Sequence, residues 1–103
     1  MKKQTVHELK TDPEVFQSVK NELKRFEIRK NDRNFNVGDI LLLRETTYSG
    51  EQIKNEMKPL EYTGDSIQCF VDYILHGPIY GLSDEWVIMS ITVARDINDG
   101  RHR

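Results

Sequence analysis

Apolar positions along this 103-residue chain recur with two different periods. Thr5 to Lys10 reads as a short first strand, with Val6 and Leu9 as its apolar members. Val15, Phe16, Val19 and Leu23 then recur at helical spacing and form one stripe that would pack on a sheet, leaving Gln17, Lys20, Asn21 and Glu22 outward. Thr11 and Glu14 have capping-box spacing, and Asp12 before Pro13 offers an alternative cap with proline in the first turn. A helix is therefore predicted from there to residues 22–24. From Arg25 to Lys30 charged and apolar residues alternate, as on a strand: Phe26 and Ile28 are expected to feed a core while Arg25, Glu27 and Arg29 face the other way. Asn31 to Asn34 and Val37-Gly38-Asp39 are turns by composition. Ile40 to Leu43 is a continuous apolar run, predicted as a central strand buried on both faces.

The second half is more interrupted. Thr46 to Pro59 is polar, with only Ile53 and Met57 at helical spacing, and predicts a long mobile loop with one helical turn. Leu60 to Thr63 reads as a short strand, Gly64-Asp65-Ser66 as a break, and Ile67 to Leu75 as a longer strand rich in β-branched and aromatic residues. His76 to Ser83 is a loop by its Gly and Pro content. Glu85 to Val93 is the last strand, with Trp86, Ile88 and Ser90 on one face and Val87, Met89, Ile91 and Val93 on the other; Trp86 is expected in the core. The tail after Arg95 is polar and expected to fray. Five or six strands with one firm helix at the front predict an α+β, mostly β, barrel-like single domain over residues 1–103.

Charge changes this picture in one respect. The formal net charge is −2, yet residues 1–44 carry ten Lys/Arg against seven Asp/Glu and residues 45–103 carry five against ten. Any nucleic acid must then be held by a local basic cluster rather than by the field of the whole protein. The single cysteine, Cys69, lies in the apolar run Ile67-Gln-Cys-Phe-Val71 and reads as a buried thiol in a reducing, cytoplasmic setting. No apolar stretch is long enough to span a bilayer, so no membrane partner is expected. His7, His76 and Cys69 follow no metal-ligand spacing, and no cofactor-binding motif is present, so neither a metal nor a cofactor is expected.

The stretches His7-Glu-Leu-Lys10, Lys24-Arg-Phe-Glu-Ile-Arg-Lys-Asn-Asp-Arg33, Val37-Gly-Asp39, Ile40-Leu-Leu-Leu-Arg-Glu45 and Tyr62-Thr-Gly64 resemble the small bacterial and phage proteins of the ASCH group, in the PUA-like superfamily. The resemblance implies a compact β-barrel with flanking helices and a cleft associated with RNA or a modified nucleoside. It places Lys24, Glu27 and Arg29 along that cleft, with His7 and Lys10 as further candidates. Arg29 and Arg33 suit phosphate or base-edge contacts through their planar forks, Lys24 suits a phosphate, and Asn31 suits a base edge. Tyr62, Tyr73 and Tyr80 are candidate stacking surfaces.

Three functions compete at this point. The first is an RNA- or nucleoside-binding module. The second is a small amidohydrolase acting on acylated nucleosides: a related ASCH group hydrolyses acetylated cytidine with a lysine and a threonine in this stretch. Lys24 matches that lysine, but the threonine position is Glu27, which offers no hydroxyl nucleophile. Lys24 and Glu27 remain the catalytic candidates. The third is a phage or bacterial accessory protein that binds another protein, suggested by the acidic second half.

Overall fold

The structure, a computed structural model, describes residues 4–94, and the tail after Arg95, expected to fray, lies outside them. In chain order the elements are β1 (Val6–Thr11), α1 (Pro13–Lys20), β2 (Phe26–Lys30), β3 (Ile40–Thr46), α2 (Gly50–Asn55), β4 (Tyr62–His76) and β5 (Trp86–Val93). The strands form one sheet in the order β1-β3-β4-β5-β2, curled into a half-barrel. Only the β1–β3 pair is parallel, a connection that requires the intervening α1 and β2 to cross over; the other three pairs are antiparallel.

The core lies on the concave side of the sheet. Leu9, Leu41, Leu43, Cys69, Val71, Val87, Met89 and Ile91 alternate inward along their strands, and Phe16 and Val19 of α1 cover them. Full burial of these two helix side chains is worth about 1.5–3 kcal/mol each. Helix α1 stops earlier than its apolar stripe predicts. Glu22 adopts a left-handed φ of 61°, and the N–H groups of Leu23 and Lys24 both donate to the Ser18 carbonyl. The chain thereby leaves the helix axis and Leu23 ends 82% exposed, outside the core.

Two further elements differ from expectation. Residues 62–76 form one strand of 15 residues, not two. Gly64 takes a positive φ of 100°, which glycine tolerates, and it falls where the pairing with β3 shifts between Arg44–Ser66 and Thr46–Tyr62, so the expected break is an irregularity within one strand. The polar 46–59 segment holds a short helix, α2, because Ser49 and Gln52 close a reciprocal capping box and Asp12 accepts a hydrogen bond from the Gly50 N–H at 2.9 Å. Of the apolar run Ile40 to Leu43, only Leu41 and Leu43 are fully buried; Ile40 and Leu42 lie on the half-covered outer face.

Strands β1 and β2 are the two free edges, and the curl of the sheet brings them towards each other. No ladder joins them. Instead Arg29 Nη2 donates to the Lys10 carbonyl at 3.1 Å and Arg33 Nη1 to the Glu8 carbonyl at 2.9 Å, so two guanidinium groups reach carbonyls on the edge of β1 away from β3. This covers edges that would otherwise be open to pairing.

The early end of α1 predicts a contrast. Leu23→Ser should change unfolding free energy by no more than about 0.5 kcal/mol, and Phe16→Ala should cost about 3–5 kcal/mol, both read from urea denaturation. A large loss in the Leu23 variant would mean that the apolar stripe continues into the core.

Candidate functional site

The alternation in β2 runs opposite to the expected direction. Register pairs Glu27 with Met89 and Arg29 with Val87, so these charged residues share the inward face of β5, while Phe26 and Ile28, at 44% and 46% exposure, point outward. Backbone bonds from Ile91 N to Arg25 O and from Asn31 N to Glu85 O bracket this register. The Glu27 side chain is only 3% exposed. A lone carboxylate there would be costly, and two cations compensate it: Lys24 Nζ lies 3.0 Å from Oε2 and Arg29 Nε 3.0 Å from Oε1. Lys24 also donates to the Phe26 carbonyl and sits over the Phe26 ring. The early turn after α1 is what delivers Lys24 to this position.

This ion triad borders a cleft of about 310 Å³ that opens in the seam between β1 and β2. Lys10, Thr11 and Asp12 form one wall, Lys24 and Glu27 to Lys30 the other, and Val15 and Trp86 complete it. Four cations therefore face two carboxylates, which makes the cleft cationic inside an acidic protein. Trp86 is 39% exposed, against the expectation of a core indole. It stands opposite Lys30 at the start of β5. Gly77 helps to set that start: its N–H donates to the Trp86 carbonyl, and an added Cβ would lie 2.0 Å from the Ser83 carbonyl oxygen.

Of the residues singled out from the sequence, Lys10, Lys24, Glu27 and Arg29 meet in this cleft, and His7, Asn31, Arg33 and Tyr62 do not line it. His7 is buried; its Nε2 contacts Asp39 Oδ2 at 2.8 Å and its ring packs edge-on against Phe35. Asn31 accepts the Phe35 N–H and shapes the loop after β2. Arg33 belongs to the seam, and Tyr62 lies under the Arg44 guanidinium at 3.7 Å. Tyr73 and Tyr80 are exposed apart from the cleft. The sequence reading missed Thr11, Asp12, Lys30 and Trp86; for Trp86 the available signal was its place at the strand's first residue, where one face is open. It also missed Glu45, a buried carboxylate that accepts hydrogen bonds from Gln17 (3.0 Å) and Thr63 (2.9 Å) and ties α1 to β3 and β4.

Cys69 and Asp39 are both perturbed. Burial raises the Cys69 thiol to about 12, the nearby Glu27 charge adding and Lys24 offsetting, so the thiol stays protonated and unreactive. Burial also pushes Asp39 upward, but the hydrogen bond to His7, the backbone N–H groups of Asn36 and Thr5 and the charge of His7 outweigh it and hold the carboxyl below its ordinary value. Among the described residues no cluster of His, Cys, Asp or Glu could hold a metal ion, and no helix is long and apolar enough to cross a membrane.

A family model described as a domain of unknown function (DUF3850) matches residues 6–91, which include every residue of the cleft. The chain belongs to the DUF3850 family. No curated protein matches it. The long motif from Lys24 to Arg33 is thus, in this DUF3850 chain, an ion triad around one buried carboxylate followed by a seam arginine.

Two expectations follow. Glu27→Gln should destabilise the fold by about 3 kcal/mol because it strands two cations at a buried site, whereas Glu85→Gln, which breaks an exposed pair with Lys30, should cost no more than about 1 kcal/mol; equal effects in urea titrations would contradict the triad. Asp39 has a lowered pKa in the fold, so its stabilisation is present above the unfolded value of 3.8 and is lost as pH falls through the lower folded value. The stability difference between wild type and Asp39→Asn should accordingly shrink on acidification from pH 5 to pH 2.5, and a constant difference would refute this linkage.

Proposed function

We propose that this protein is a binding module of the ASCH/PUA-like kind that takes an RNA segment or nucleoside-like ligand into the seam cleft. The observation that carries this reading is the pair of cations anchored on buried Glu27 beside a half-exposed indole. Lys24 and Arg29 are held in place before any ligand arrives, so little side-chain entropy remains to be lost on binding. Lys10 and Lys30 add charge for phosphate, and Trp86 offers a ring face for a base. Binding accounts for these features better than hydrolysis of an acylated nucleoside does. Each Glu27 oxygen already accepts a charged donor, so proton abstraction would compete with both cations. The one hydroxyl on the cleft wall, that of Thr11, donates to the Leu9 carbonyl.

The test is a titration with single-stranded RNA at two salt concentrations, followed by backbone amide NMR shifts. Perturbations are expected at residues 10–12, 24–30 and 86. Trp86→Leu should weaken binding at least fivefold, the lower end of the roughly 1–3 kcal/mol that stacking contributes per base. Lys30→Gln should reduce the salt slope by about 0.7. Undiminished affinity and an unchanged slope in these variants, with folded spectra, would remove the cleft from consideration and favour a protein partner.

A further inference from the structure

The seam cleft does not end at Lys10 and Asp12. These two residues also line a second compartment of about 280 Å³, whose remaining walls are Thr46, Gly50, Ile53 and Leu60. The hydrogen bond from the Gly50 N–H to Asp12 Oδ1 fixes α2 beside the start of α1 and so keeps this compartment next to the first. Small-molecule sites commonly measure about 300–1,000 Å³. Each compartment alone stands at or just below the lower end of that range; the contiguous pair falls within it.

The two compartments differ in chemistry. The first carries Lys24, Arg29, Lys30 and Trp86, and the second offers Ile53 and half-exposed Leu60 with a single cation, Lys10, at the boundary. We infer that the ligand is a single-stranded nucleic acid of at least two nucleotides, with one nucleoside against Trp86, the next against Ile53 and Leu60, and the linking phosphate at Lys10. This rests on the nucleic-acid reading of the first compartment. The boundary suits a phosphodiester because Lys10 is the one cation common to both compartments. Asp12 already commits one oxygen to Gly50, and its other oxygen is an acceptor for a ribose hydroxyl.

The probes are AMP, adenosine 3′,5′-bisphosphate and the 5′-phosphorylated dinucleotide pApA, titrated calorimetrically against the intact chain. The bisphosphate carries the second phosphate without the second nucleoside, and its terminal phosphate is more highly charged than a diester, so any advantage of pApA over it is not electrostatic. Adenosine bisphosphate should bind more tightly than AMP, and Lys10→Gln should remove that gain. The dinucleotide should bind about tenfold more tightly than the bisphosphate, and Leu60→Ser should abolish this tenfold step while leaving the bisphosphate affinity unchanged. Equal affinity for bisphosphate and dinucleotide would overturn the two-unit ligand and leave the first compartment's assignment standing. Absence of binding by all three probes to a folded protein would overturn both.

Discussion

The buried carboxylate of Glu27 is the constraint on which the surrounding structure depends. It sits on the core face of an edge strand and persists there because Lys24 and Arg29 approach its two oxygens separately. Lys24 can do so only because α1 ends early in a left-handed turn, and Arg29 at the same time holds the opposite sheet edge through the Lys10 carbonyl. Helix exit, edge register and closure of the half-barrel are thus linked through one side chain. Such a group is a poor choice for stability alone, since apolar residues of similar volume often stabilise as well or better. It also lines the seam cleft, together with both of its cations.

Much of the fold was legible because local signals and tertiary demands agreed. The alternation of Val87, Met89 and Ile91, the proline-started α1 and the apolar run before Arg44 all adopt the elements their periods predict. The site was legible only in outline. Alternation in Arg25 to Lys30 gives two faces but not which one turns inward, and ordinary burial preference points to Phe26 and Ile28. The answer depends on pairing with β5, where Glu27 falls opposite Met89, and on a lysine three residues away that the helix turn folds back. Trp86 was misplaced for a related reason: a large aromatic in a strong strand usually seeks the core, but its position at the strand's first residue opposite Lys30 leaves it at the cleft. His7, a further candidate from the resemblance, lies outside the cleft and contacts Asp39, which also accepts the Asn36 N–H in the turn before β3.

The acidic balance of the chain gains meaning from this arrangement. The net charge is −2, yet the cleft lining carries four cations against two carboxylates, so the cleft is opposite in sign to the chain that holds it. Lys24 and Arg29, at 20% and 26% side-chain exposure, are less solvated than Lys30 at 59%, so salt screens them less.

The seam leaves the spacing of the two sheet edges to side chains. A backbone ladder would fix the separation of β1 and β2 at the spacing of paired strands, about 4.8 Å. Guanidinium bridges from Arg29 and Arg33 impose no such interval. Both bridges already use the longest natural donor side chain, so a shorter donor at either position would have to draw the two edges closer, with no strand register needing to change.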